Sequence, residues 1–147
     1  MFSEDTSSAI SGFQAKLELK ENATPVFLKP YPIPHALLKS FDDIIDMFLQ
    51  QRKIEPVNQS EWASPCMLVA TKTGDFRLVV DFQKTVNVQC KTFLHPPLKP
   101  NDIFAKFSGA KCFCLIDLAD AITQVELDSS SQELVVFNTP HRGLFKC

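Results

Sequence analysis

Asp117 closes an apolar run, Cys112-Phe113-Cys114-Leu115-Ile116, and Asp120 follows three residues later. A lone charge at the end of a buried strand costs several kcal/mol, roughly, or is forced neutral unless something compensates it. A cation, a helix end or a metal ion would serve. A strand end is also a rigid mount, which suits a group that must hold a ligand in place. The alternative is a structural acid, paired or capped by its neighbours.

Other residues of reactive type carry weaker signals. Five cysteines, Cys66, Cys90, Cys112, Cys114 and Cys147, fit no disulfide framework, and Met1-Phe-Ser-Glu-Asp does not open a signal peptide. A reducing compartment, cytoplasmic or nuclear and not secreted, follows as the expectation. Cys112 and Cys114 suit either a metal pair or two same-face residues of a buried strand, the ordinary habit of a free cysteine. His35, His95 and His141 lack ligand spacing, so no zinc site is expected. Asp42, Asp43 and Asp46 read as the solvated face of a helix. Lys99, Lys106 and Lys111 read as a solvated face too, since an RNA patch needs arginines and aromatics interleaved with them.

The composition sets the limits. The chain has 147 residues, 45% of them apolar, and a formal net charge of −2. That suits one domain with an ordinary core. The charge argues against a tail-like or histone-like nucleic-acid binder but leaves room for a locally charged groove. No apolar run approaches the roughly 20 residues of a membrane helix, so no membrane partner is expected.

The elements that must position these residues are α+β in kind. Residues 1–15 are polar and Ser-rich and read as a flexible arm. Lys16 to Leu19 alternates weakly, as a short strand does. Pro25, Pro30, Pro32 and Pro34 then impose an extended strap. From Ala36 to Lys53, Leu37, Leu38, Phe41, Ile44, Ile45, Phe48 and Leu49 fall at helical spacing, and Pro56 stops continuation. Met67–Ala70 and Phe76–Phe82 are β-rich runs joined by Lys72-Thr73-Gly74-Asp75, a hairpin turn. Residues 91–100 are broken by prolines. A short helix over Asn101–Phe107, capped by Asn101, a buried strand over Ala110–Leu118 and a strand over Thr123–Leu127 follow. A brief helical turn comes after Asp128, then a β-run over Leu134–Asn138, a turn over Thr139–Gly143 and an unfinished strand from Leu144.

Taken in order, the local signals form one set. Ile54-Glu55-Pro56 precedes Ser60-Glu61-Trp62-Ala63-Ser64-Pro65. The hairpin carries Gly74-Asp75-Phe76-Arg77 and Val80-Asp81-Phe82, and Asn87 follows. Next come Phe104-Ala105-Lys106-Phe107-Ser108-Gly109-Ala110-Lys111, then Phe113-Cys114-Leu115-Ile116-Asp117-Leu118 and Gln124. In this order and spacing residues 16–147 resemble the reverse transcriptase of LTR retrotransposons, most closely the gypsy-like group.

The resemblance implies an incomplete right-hand polymerase: fingers and the first part of a palm, built of antiparallel hairpins with a few helices. It implies a piece of an RNA-directed DNA polymerase, with primer–template and dNTP as partners of the parent enzyme and Mg²⁺ as its cofactor. Asp117 becomes the metal-binding carboxylate, and the backbone carbonyl of Leu118 completes the coordination. Hard oxygen ligands suit Mg²⁺ where thiols do not. Arg77 matches the arginine that reaches the incoming triphosphate, for which a guanidinium fork is suited. The backbone N–H groups of Asp120 and Ala121 match those that cradle the same triphosphate. Met67 and Asp81 match positions near the templating base, and Trp62 and Pro65 match packing positions of the fingers.

Departures accompany the match. Ala70 and Thr71 stand where basic residues are usual, Gln83 replaces an arginine beside the template, and Ile122 occupies the aromatic sugar-gate position. A Tyr-x-Asp-Asp segment, the thumb and the RNase H parts lie beyond the residues of this chain. By this reading the chain alone does not polymerise, because one carboxylate cannot hold two metal ions. Two other readings stay open: a retained nucleic-acid- or protein-binding module without catalysis, and a relic without function.

Overall fold

The computed structural model describes residues 10, 12–92, 99–115 and 124–147. Its elements mix helix and strand. Among the described residues they run β1 (Gln14–Ala15), α1 (Leu38–Gln50), β2 (Glu55–Val57), β3 (Ser64–Ala70), β4 (Phe76–Val80) and α2 (Val86–Gln89). There follow α3 (Pro100–Lys106), β5 (Glu126–Leu127), α4 (Ser129–Gln132), β6 (Val136–Thr139) and β7 (Gly143–Lys146). Among the described residues no helix is long and apolar enough to cross a membrane.

Helix α1 forms where the apolar period predicts it. A 3-10 turn, His35–Leu37, leads in from Pro34. Phe41 and Ile45, one turn apart, are fully buried, and Phe48 and Leu49 pack beside them. Burying each of the first two contributes about 1.5–3 kcal/mol. The helix stops in a paired-bond cap: Lys53 N–H donates to Phe48 O at 2.9 Å and Arg52 N–H to Leu49 O at 3.1 Å. Arg52 takes a left-handed φ of 54°, a position that glycine usually fills. The Lys53 ammonium lies 5.8 Å from the centre of the Phe48 ring, closing the cap on its apolar side.

The main sheet has five strands in the order β2-β7-β6-β3-β4. β3 and β4 form the expected hairpin, with Val69 opposite Arg77 and Cys66 opposite Val80. Its turn closes through Thr71 N–H to Asp75 O at 2.8 Å, and Gly74 supplies a φ of 90°. β3 runs parallel to β6, and β6 turns back into β7. The core gathers Phe41 and Ile45 of α1 with Ile54, Cys66, Phe137 and Phe145, and Phe137 stacks on Phe145 at 5.6 Å. Leu68, Leu78 and Val80 join it, so α1 covers the face of the sheet to which they point.

The strand from Leu144 is not left unfinished. It is β7, paired with β6 on one side and with β2 on the other. Gln14–Ala15, inside the expected flexible arm, pairs in parallel with Glu126–Leu127, and Ile10 N–H donates to Gln124 O at 2.8 Å. Leu19 makes an isolated bridge to Cys90 instead of a strand of its own. Residues 1–9 and 11 of that arm lie outside the described residues.

Three further expectations change. Asn101 does not cap α3; Lys99 holds the cap position and Pro100 starts the helix, where a missing N–H costs nothing. Residues 110–115 form no strand and are exposed, with Phe113 at 67% and Leu115 at 95%. Their apolar run is that of a buried strand, but no strand among the described residues pairs with them. Cys112 and Cys114 are accordingly exposed and not packed. Asp42 and Asp46 are not a merely solvated face: they hold the β6–β7 turn through His141 and Arg142.

Candidate functional site

The β3–β4 hairpin has two unlike faces. Side chains alternate along a strand and directly opposed residues share a face. Leu68 faces Leu78 and Cys66 faces Val80, and this set points at α1. Met67 faces Val79 and Val69 faces Arg77, so these four lie on the opposite side. Two residues beyond Val79, Asp81 extends the ladder by one bond, its N–H donating to Pro65 O at 2.8 Å. The register therefore brings three separately expected positions, Met67, Arg77 and Asp81, to one face.

Their surroundings differ. Arg77 is exposed, and no carboxylate among the described residues forms an ion pair with it. It is therefore placed to meet an anion from solvent. Met67 is half-buried beside it. Asp81 has both carboxylate oxygens engaged: Tyr31 O–H donates to Oδ2 at 3.0 Å and Gln83 N–H to Oδ1 at 3.0 Å. The side chain of Gln83 itself is exposed. Trp62 is 7% exposed and Pro65 buried, in keeping with packing roles.

Tyr31 is the residue that sequence reasoning passed over. Its neighbours Pro30 and Pro32 mark an extended strap, but nothing local points to a partner 50 residues away. The Asp81 bond pushes the Tyr31 hydroxyl up from its ordinary value of 10.0, with desolvation and the Asp81 charge adding to it. The phenol is a protonated donor at neutral pH.

Asp117, Leu118, Asp120, Ala121 and Ile122 lie outside the described residues, as does His95. Among the described residues no group of three or more His, Cys, Asp or Glu side chains is placed to hold a metal ion. Cys66 is no nucleophile: burial pushes its thiol up to about 12, and it donates to Asn138 O at 3.4 Å. Lys99, Lys106 and Lys111, before, on and after α3, are exposed. An apolar cleft of about 560 Å³ opens between Leu17, Phe82, Val86, Cys90, Leu127 and Val135.

No protein-family model matches the chain. Curated relatives do. The chain is 36% identical over 135 residues to the uncharacterized protein K02A2.6 of Caenorhabditis elegans, a span of 90% of this chain and 10% of that protein. It is 28% identical over 133 residues to the retrovirus-related Pol polyprotein from transposon 412 of Drosophila melanogaster, covering 86% and 10%. It is 27% identical over 140 residues to the transposon Tf2-3 polyprotein of Schizosaccharomyces pombe, covering 93% and 10%. The chain thus spans about a tenth of the length of the relatives it matches, and its similarity to transposon polyproteins marks it as retrotransposon-derived.

Proposed function

We propose that these residues are the fingers and the first part of the palm of a gypsy-like reverse transcriptase, acting as a piece of a longer Pol polyprotein. The observation that carries this reading is the shared face of Met67, Arg77 and Asp81 on the side of the hairpin away from α1. In this role Arg77 receives the triphosphate of the incoming nucleotide, a task that needs an unpaired guanidinium open to solvent. Met67, Asp81 and Gln83 border the template strand.

Asp117 supplies the catalytic carboxylate, and a carboxylate oxygen with the Leu118 carbonyl is the donor chemistry that a hard cation such as Mg²⁺ takes. Together with the further carboxylates that the resemblance assigns to other parts of the polyprotein, Asp117 and Leu118 would hold such a cation, which would supply Lewis-acid activation of the primer 3′ oxygen and positive charge to offset the leaving pyrophosphate. The backbone N–H groups of Asp120 and Ala121 orient the triphosphate, and Ile122 stands at the sugar gate. The resemblance implies a ring at that position and this chain has an aliphatic residue there, so weak discrimination between deoxynucleotides and ribonucleotides is part of the proposal.

The test is primer extension on an RNA template by the polyprotein that carries these residues. Asp117→Asn lowers kcat at least about a hundredfold, the scale of removing a group that stabilises transition-state charge. Arg77→Ala raises the dNTP KM with a smaller change in kcat. Full activity in the Asp117→Asn protein would remove the polymerase reading.

A further inference from the structure

The proline strap reaches the candidate site. Leu28 N–H donates to Ala63 O at 2.9 Å and Ala63 N–H to Val26 O at 3.1 Å, so the strap runs as an extended neighbour of the chain entering β3. Asn138 Nδ2 donates to Leu28 O at 3.4 Å and ties the same point to β6. Three residues past Leu28, the fixed backbone between Pro30 and Pro32 delivers the Tyr31 hydroxyl to Asp81. Asp81 is thus gripped from two sides, by the strap on Oδ2 and by its own turn on Oδ1.

We propose that Tyr31 is a positioning residue for the nucleic-acid face, fixing the direction of the Asp81 carboxylate toward the template strand. This rests on the polymerase reading of that face. A carboxylate beside a polyanion helps only when it is aimed at a donor, a base-edge or sugar N–H or O–H, and repels phosphate otherwise. Each carboxylate oxygen accepts about two hydrogen bonds. One is used on each by Tyr31 and Gln83, which leaves an acceptor site on each oxygen in a set direction. Without Tyr31 the carboxylate is held by the Gln83 N–H alone, and its open acceptor sites lose that set direction.

The experiment is filter binding of a primer–template duplex to this chain over a salt series, with Tyr31→Phe, Asp81→Ala and the double variant, each also followed by thermal melting. Tyr31→Phe keeps the ring and removes only the donor. The expected result is salt-dependent binding by the unsubstituted chain, weakened about threefold to tenfold by Tyr31→Phe, with no further effect of Tyr31→Phe once Asp81 is alanine. Equal binding by Tyr31→Phe would overturn the proposal and leave the nucleic-acid reading standing. An equal loss in both backgrounds, or a loss matched by a collapsed melt, would also overturn it, because Tyr31 would then act without Asp81. No binding by the unsubstituted chain at low salt would remove the nucleic-acid reading and this proposal with it.

Discussion

Arg142, in the turn between β6 and β7, donates from its guanidinium to Asp46 on α1 at 2.5 Å. A second guanidinium nitrogen reaches Asp42 at 3.3 Å, and the His141 ring lies 2.8 Å from the same Asp42 oxygen and packs on Phe41. The turn is therefore clipped to the helix that covers the sheet. The Asp46 bond, ahead of the two aspartate charges, raises the guanidinium above its ordinary value.

Arg142→Ala is expected to destabilise the fold by about 0.5–1 kcal/mol, the scale of a partly exposed ion pair. The urea midpoint checks it. The difference from the unsubstituted chain should shrink in 0.5 M salt compared with low salt, since screening weakens exposed pairs. An unchanged midpoint at low salt would mean that the clip contributes nothing.

Ser64 and Thr85 are both fully buried, and their hydroxyl oxygens lie 2.6 Å apart. This contact ties the start of β3 to the residue before α2. Ser64→Ala or Thr85→Val leaves the remaining hydroxyl without that partner, at a cost of about 1–3 kcal/mol each. The double variant should cost clearly less than the sum, because the second change removes the stranded group. A denaturant double-mutant cycle measures the coupling, and strict additivity would show the contact to be incidental.

What the sequence shows depends on how local the cause is. α1 and the β3–β4 hairpin are readable because their signals, a helical period through Phe41 and Ile45 and a turn at Gly74, lie within a few residues. The face shared by Met67 and Arg77 is readable only once the register is known, since one residue of slip would send Arg77 toward α1. The Tyr31–Asp81 and Arg142–Asp46 contacts span 50 and 96 residues, and no short pattern announces them. Residues 110–115 show the opposite case. Their apolar run states what a strand there would bury, but not whether a partner is present to pair with it. Asp117 is legible as chemistry, a carboxylate at the end of an apolar run, while its surroundings lie outside the described residues.

Asp128 caps α4. Ser131 N–H donates to its Oδ1 at 2.9 Å and Ser130 O–H to its Oδ2 at 2.9 Å. These bonds, led by those from Ser131, hold the carboxyl below its ordinary 3.8. A depressed folded-state value means stability that is present above the unfolded value and lost as pH falls through the folded one. Asp128→Asn keeps a capping oxygen but not the charge. The variant should therefore have the lower urea midpoint at pH 7, and the gap should close below about pH 3.8, the unfolded reference value. A gap that stays constant to pH 3 would assign the difference to geometry and not to charge.

Phe104, Phe107, Phe113 and Leu115 stand 67%, 46%, 67% and 95% exposed, and Phe107 meets Phe113 edge to face at 5.3 Å. Apolar surface of this kind drives association at micromolar concentrations and above. The isolated chain is expected to self-associate, with a light-scattering mass that rises with concentration. Phe113→Lys with Leu115→Lys should shift it toward a monomer without lowering the melting temperature, because neither side chain is buried among the core residues. A concentration-independent monomer in the unsubstituted chain would show that these side chains do not drive association. A double variant that still associates would place the sticky surface elsewhere, with β4, an edge strand of the sheet among the described residues, the next to test.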